Sequence, residues 1–592
     1  MCGFSGILSK NTSGFKNLVE KSTKIINHRG PDDTDFYFDD NFAVGFNRLK
    51  IIDLSSAANQ PFKDEDFVLV FNGEIYNYVE LQNEFKFNLK TKSDTEVLFS
   101  VLKKFRNDIG SGLNLLNGMF ALAFYDKKAK RLILARDRFG VKPLHYCFVD
   151  GAVVFSSEIK ALKNYTNNFK VNHKAVINFL VNRSLDYTEE TFFDGISQVG
   201  QSSFLEFGLG EKGAEKTVEK KYWNLSVIKS RDYRDENKVC EEFRKLFLNA
   251  VSIRLRSDVP LAALLSGGLD SSAIVAAVAS PDALNNKIKT FSAVYPGDPL
   301  DERKFAETLT EQYKNINPVW IEIKTENFFK SLEKVIYHQE TPIADGSMVA
   351  HFLLMEKINE NGIKVVLTGQ GGDEILGGYV HTFLPAYEAD RIRNFNFKNF
   401  SLRAFFHSFP AFIKNIFRAI YVFRNYGKFF AEKGKLKLVD DFYVHFKNKT
   451  ILNSYLLNSL FYWSLPGFLH YDDRNSMAFA IETRGPFLDY RLAEFMISLP
   501  NEFKIRDNKG KWLLRESLKD LIPHQILDRK DKQGFYAPID RWSENIPVDF
   551  LIDEEFKHEF DYLNLQEVQK DKTMKWRVFT LWLWYKKYIK ID

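Results

Sequence analysis

A cysteine at position 2, followed by glycine, becomes the first residue of the chain if Met1 is removed, and it then carries a thiol beside its own α-amine. An α-amine titrates near pKa ~7.7 and a thiol near ~8.5, so the pair exchanges a proton around neutral pH without a histidine. On position alone the residue also reads as an incidental cysteine. A second arrangement lies at Leu265-Ser266-Gly267-Gly268-Leu269-Asp270-Ser271-Ser272, where an apolar run gives way to glycines and hydroxyls. If a strand ends and a helix begins there, backbone N–H groups and hydroxyls converge on an oxyanion. The Gly-Lys-Ser/Thr ending of a P-loop is absent. An aspartate inside such a loop repels phosphate, and a bound Mg²⁺ would reconcile the two. Asp373 and Glu374 follow a second glycine-rich run, Thr368-Gly369-Gln370-Gly371-Gly372, which makes Asp270 and Asp373 the candidate metal ligands.

These residues need elements to hold them. A chain of 592 residues accommodates two to four domains. Residues 1–160 read as short strands between turns, such as Phe67–Phe71 before Asn72-Gly73, and Met119–Tyr125 before Asp126. Residues 205–240 turn Gly-, Glu- and Lys-rich and mark a boundary. Beyond it, Leu261–Leu265 reads as a buried strand and Ser271–Ala279 as an Ala-rich helix, and Ile363–Leu367 repeats the strand before a glycine-rich turn. Such alternation predicts a parallel sheet with its ligand crevice at the strand C-terminal ends. Trp576–Tyr588 reads as a core-facing amphipathic helix, and Phe405–Val422, interrupted by His407, Pro410 and Lys414, as a helix packed on protein.

A net charge of +5 without a basic block argues against a nucleic-acid binder. No signal-like start or long uncharged apolar stretch appears, so neither export nor a membrane is expected, and the cytoplasm is the default compartment. Cys2, Cys147 and Cys240 are too scattered for a disulfide framework or a four-ligand zinc site, and the last two read as structural.

Cys2-Gly3 is followed in order by Asn27-His28-Arg29-Gly30-Pro31-Asp32, Arg48-Leu49, Asn72-Gly73-Glu74-Ile75-Tyr76-Asn77 and Ser93-Asp94-Thr95-Glu96. Together they resemble the class II, N-terminal-nucleophile glutamine amidotransferase domain. The octet at 265–272, with Gly485-Pro486-Phe487-Leu488-Asp489 and Lys509-Gly510-Lys511, resembles the N-type ATP pyrophosphatase half of glutamine-hydrolysing asparagine synthetases, and the likeness runs from Cys2 to about Trp542. The resemblance implies a fold that is α/β and α+β in two domains: an N-terminal-nucleophile hydrolase sandwich of β-sheets flanked by helices at 2–205, a junction at 206–237, and a parallel-sheet α/β ATP pyrophosphatase domain with a helical C-terminal part at 238–592. It implies that Cys2 attacks the glutamine amide, that Asn72 and the Gly73 N–H hold the oxyanion, that Arg48 binds the α-carboxylate, and that Glu74 and Asp94 meet the α-ammonium. It further implies that ATP and its pyrophosphate lie against Leu265, Ser266, Gly267, Gly268, Asp270, Ser271, Ser272, Val294, Thr368, Gly369 and Lys511, with Mg²⁺ on Asp270 and Asp373. The fused order implies an internal passage for ammonia. His28 reads either as a brace or as a chemical group.

The implied activity is asparagine synthesis from glutamine, ATP and aspartate, with neither nucleic acid nor membrane as partner and a homodimer as the candidate assembly. Departures from the family pattern concern the acceptor. Gln370 stands where a glutamate is common, Gln339–Ser347 lacks the Thr-Thr-Ile-Arg-Ala-Ser type of segment associated with aspartate, and Val199–Ser203 replaces a Pro-Pro-Gly-His turn. A sugar uronate is therefore the alternative acceptor, and a catalytically silent glutamine or ATP sensor the alternative of another class.

Overall fold

A computed structural model describes residues 2–166, 169–231, 233, 235–298, 301–393, 420–439, 443–444, 446–529 and 546–590. Most of the Phe405–Val422 run, and the end of the family likeness at Trp542, lie outside the described residues.

The N-terminal half stacks two six-stranded antiparallel sheets. In the first, the strand Gly3–Leu8 lies between Phe42–Arg48 and Ala152–Ser156. In the second, Phe67–Ile75 pairs with Gly118–Asp126, which pairs in turn with Arg131–Arg136. Alternation along these strands sends Phe4, Phe46, Val70, Ala123 and Phe155 into one apolar layer between the sheets. The outer face of the second sheet is covered by helix Asp94–Lys104, through Val97 and Leu98 against Leu69 and Phe124. Helices Lys16–Ile25 and His173–Asn182 cover the outer face of the first through Val19 and Val176. Four layers result, helix, sheet, sheet, helix. Residues 206–221, read above as part of a junction, instead continue the second sheet: Ser203–Gly210 and Gly213–Lys221 form a hairpin on its edge. Its Gly-, Glu- and Lys-rich composition reflects an exposed edge, where charge blocks further pairing.

The C-terminal half holds a five-stranded parallel sheet in the order Ile316–Glu322, Ile288–Val294, Leu261–Leu264, Val365–Leu367, Glu482–Arg484. The chain starts in the middle strand, fills one side, then crosses to the other. That reversal opens a crevice between the C-terminal ends of Leu261–Leu264 and Val365–Leu367, where the two glycine-rich loops emerge. Helices cover both faces, and Lys572–Tyr588 closes the assembly with Trp576 and Trp584 buried. One apolar cluster runs from Val154 in the sandwich to Phe328, Ile336 and Trp584, so the halves share a core. No described helix is long and apolar enough to cross a membrane.

Candidate active sites

Cys2 sits at the mouth of the first sheet, directly before its strand, and is buried. Its backbone N–H donates to Asn72 Oδ1 at 3.0 Å, which ties it to the end of a strand in the second sheet. Burial pushes the Cys2 thiol up, and the Leu49 backbone N–H and Arg48 oppose that shift. Asn72 Nδ2 is buried and makes no hydrogen bond among the described residues. An amide donor left so costs about 1–3 kcal/mol, so the site holds it ready for a ligand oxygen. Gly73 has φ +151°, and a Cβ there would lie 2.0 Å from the Met119 carbonyl oxygen. Glycine is thus required by the neighbouring strand, before any crowding of a reaction intermediate arises.

The Arg48 fork is held by the carbonyls of Ser55 and Asp53 and by Asn59 Oδ1. Asp94 opens its helix beneath the Ser93 cap, and its Oδ2 accepts from the Ile75 N–H at 2.9 Å. Burial, with Glu482 nearby, raises Asp94 to about 6. Glu74 is raised well above the ordinary carboxylate range by burial and by Glu482 and Asp94. Two residues from the C-terminal half complete this cluster. Arg484 Nη2 lies 3.4 Å from Glu74 Oε1, and Arg484 Nε donates to Glu482 Oε1 at 2.6 Å.

More buried charges tie the halves together. Arg29 donates to the Cys2 carbonyl at 3.0 Å, to Glu158 at 2.7 Å, and through both terminal nitrogens to Asp473 at 2.9 and 3.0 Å. His28 Nε2 meets Glu158 Oε1 at 3.2 Å, which places it as a brace. Lys142 Nζ is fully buried, makes no hydrogen bond among the described residues and lies 3.7 Å from Asp473 Oδ1.

In the second half the crevice is a cavity of about 420 Å³, lined by Leu265, Ser266, Gly268, Asp270, Ser271, Thr368, Gly369 and Asp373 among others. Helix Leu269–Ala279 begins at the loop, so its free N–H groups face the cavity mouth. Gly267, Ser272 and Val294 are not among the residues lining the cavity, whereas Ala293 and Tyr295 on either side of Val294 are. Lys511, at the N-terminus of helix Trp512–Ser517, is buried; its Nζ is 2.6 Å from Asp270 Oδ2 and also pairs with Asp373. Two carboxylates meeting beside a phosphate-type loop suit magnesium, which takes one or two carboxylates and completes its shell with phosphate oxygens and water. Protein ligands alone would not suffice, since no group of three or more His, Cys, Asp or Glu among the described residues forms a metal cluster.

The structure therefore gathers Cys2, Arg48, Asn72, Gly73, Glu74 and Asp94 around one buried point, and Leu265, Ser266, Gly268, Asp270, Ser271, Thr368, Gly369, Asp373 and Lys511 around another. Sequence reasoning missed Glu482, Arg484, Arg29 and Asp473. Their signal was present: Ile481-Glu482-Thr483-Arg484 alternates two charges in a strand buried on both faces, which only a partner explains.

The asparagine synthase family model matches residues 242–573, and the glutamine amidotransferase domain model matches residues 1–223. The chain belongs to the asparagine synthase family. Over 92% of its length it is 28% identical to asparagine synthetase (glutamine-hydrolyzing) 1 of Bacillus subtilis, covering 88% of that protein. Asparagine synthetase (glutamine-hydrolyzing) 3 of the same organism is 29% identical over 90% of this chain and 86% of its own. Amidase chry2 of Gibberella zeae is 27% identical over 92% of this chain and 90% of its own. As a member of that family, the protein is a glutamine-dependent, ATP-using ligase of two domains.

Proposed function

We propose that the N-terminal domain hydrolyses glutamine at Cys2 and that the ammonia travels inside the chain to a carboxylic acid adenylated in the C-terminal crevice. The balance is glutamine, ATP, acid and water giving glutamate, AMP, pyrophosphate and amide. One observation carries the reading. The Arg484 carbonyl accepts from the Thr368 N–H of the nucleotide loop at 2.9 Å, while its guanidinium faces Glu74 beside Cys2. A single residue thus touches groups assigned to both sites, as an internal passage between them requires.

With Met1 removed, the α-amine of Cys2, held by Asn72 Oδ1, takes the thiol proton as sulfur attacks the amide carbon. Asn72 Nδ2 and the Gly73 N–H receive the oxyanion. Arg48 and the Glu74–Asp94 pair hold the amino-acid end of glutamine. In the crevice Ser266, Gly268 and Ser271 cradle the phosphates, and Lys511 moves from the carboxylates onto the departing pyrophosphate. Mg²⁺ on Asp270 and Asp373 would neutralise phosphate charge there. Catalysis of the transfer is then mainly positioning and charge neutralisation.

The names of the Bacillus subtilis relatives support L-aspartate as acceptor, and the reaction is proposed for the cytoplasm. A sugar uronate is the second reading. Beyond the glycine-rich loops the cavity is lined by Asp345, Ser347 and Tyr471 and, among the described residues lining it, by a single guanidinium, Arg303, which pairs with Glu307. Hydroxyls suit that wall better than a second carboxylate does. The test is pyrophosphate release with glutamine, ATP and either L-aspartate or D-glucuronate. Cys2→Ala should lose glutamine-driven product by at least ~10³-fold and recover it with ammonium chloride. A Cys2→Ala protein that still hydrolyses glutamine refutes the nucleophile. Tight ATP binding without pyrophosphate from any acid indicates a silent sensor.

A further inference from the structure

The cavity wall formed by helices Ser347–Glu360 and Leu465–Met477 carries titratable groups that the steps above leave unused. His351 and Asp472 both line the cavity, each side chain 14% exposed, with imidazole Nε2 3.5 Å from Asp472 Oδ1. Asn475 settles the ring's tautomer. Its Oδ1 accepts from Gln339 Nε2 at 2.7 Å and its Nδ2 donates to the Met348 carbonyl at 2.9 Å, so it is also an N–H that faces His351 Nδ1 at 3.2 Å. A ring nitrogen opposite an N–H must accept, which leaves the proton of the neutral imidazole on Nε2, toward Asp472.

Asp472 lines the cavity and is next in sequence to a residue bonded to the N-terminal domain. Its neighbour Asp473 turns away to Arg29 and Lys142 of the N-terminal domain, whereas Asp472 turns into the cavity. The charged groups acting on Asp472 are His351, Lys142 and Asp473, with a hydrogen bond from Thr483, and the group acting on His351 is Asp472. Burial raises the proton affinity of Asp472 and lowers that of His351, so the ring stays neutral while the carboxylate becomes a better base.

Asp472 is held by a neutral imidazole and the Thr483 hydroxyl, and the other cavity carboxylates are held by partners of their own. Asp270 and Asp373 pair with Lys511, Glu302 with Arg529, and Glu374 accepts from the Tyr379 hydroxyl at 2.7 Å. Asp345 Oδ1 accepts from the Ser347 N–H at 3.0 Å, and Gln370 has no basic group.

We propose that Asp472, oriented by His351, takes the proton that the incoming nitrogen gives up as the amide forms. The assignment rests on the ligase reading above. The ammonia lone pair forms the C–N bond at the acyl-adenylate carbon, the bond from that carbon to the AMP oxygen breaks with its electrons leaving on AMP, and one N–H proton passes to an Asp472 oxygen. A neutral amide and AMP remain. His351 is a positioning residue, acting through its N–H on the carboxylate.

The test compares three rates on the same protein: glutamine hydrolysis, acid-dependent ATP–pyrophosphate exchange, and amide formation, with L-aspartate as acid and D-glucuronate where aspartate gives no exchange. Asp472→Asn should lower amide formation about 10²-fold. Exchange and hydrolysis should stay within about twofold, which also reports that the variant has folded. Hydroxylamine forms a more acidic adduct than ammonia does and depends less on a base, so hydroxamate formation should fall less in Asp472→Asn than amide formation does. His351→Gln, which keeps an N–H donor, should lose less than His351→Ala. Equal loss of exchange and amide in Asp472→Asn, no loss of either, or a selective amide loss in Asp345→Asn instead, overturns the assignment. Wild-type protein that exchanges with neither acid overturns the ligase reading, and this proposal with it.

Discussion

The two active sites are prepared in opposite ways. Around Cys2, charges are locked before any substrate arrives: Arg29 is bonded to Cys2, Glu158 and Asp473, and Arg484 is bonded to Glu482. Buried charges of this kind are costly to strip of a partner, by about 3–5 kcal/mol, so they fix geometry and resist rearrangement. In the C-terminal crevice the main ion pairs join Lys511 to Asp270 and Asp373, and on the proposed reading phosphate and metal would exchange with them on binding. The difference follows from the substrates. On the proposed reading a small amino acid would be recognised by a rigid complementary cage, whereas a polyphosphate would bring enough charge to displace an internal pair.

The sharpest way to break this comparison is Asp270→Asn. If the crevice works by exchange of partners, pyrophosphate formation should fall by ~10³-fold or more while glutamine hydrolysis continues. Undiminished pyrophosphate would remove Asp270 from the metal site. Next in size is Asn72→Ala. The loss of one preset oxyanion donor should cost ~10²–10³-fold in glutamine turnover, and ammonium-driven amide formation should be unchanged. Parallel loss of both activities would show that Asn72 supports the fold more than the reaction.

The smallest effect concerns stability. Asp94 is raised from 3.8 to about 6 in the folded chain, so the native state binds its proton more tightly than the unfolded state does. Stability therefore falls as pH rises from about 4 through about 6, by on the order of 2–3 kcal/mol, and stays at the lower level above. Asp94→Asn should raise the melting temperature at pH 7.5 while weakening glutamine binding. In the wild type, glutamine kcat/KM should drop as pH falls through about 6, because a neutral Asp94 no longer attracts the α-ammonium. A variant that melts lower at pH 7.5 would show that the carboxylate is stabilising.

Much of the architecture was legible in advance because it rests on local pattern. Leu261–Leu264 and Val365–Leu367 are apolar runs followed within a few residues by glycine-rich turns. The hairpin at 203–221 was misread for an equally local reason, since an exposed edge strand is as polar as a linker. Ala293 and Tyr295 line the cavity and Val294 between them does not, because adjacent side chains in a strand face opposite ways, which leaves the Val294 backbone for the expected nucleotide contact.

The amino-acid sequence alone determined the two kinds of chemistry, a thiol beside an amine and an anion cradle with carboxylates, because each lies within a few consecutive residues whose spacing is read by one turn or one strand end. Tertiary structure alone decided that Arg484 stands behind Glu74, that Arg29 reaches Asp473 across 444 positions, and that His351 meets Asp472 on the wall of the cavity. Contacts between distant segments depend on how whole sheets and helices pack. A buried charge declares in the sequence that it needs a partner, and only the packed fold shows which one it has.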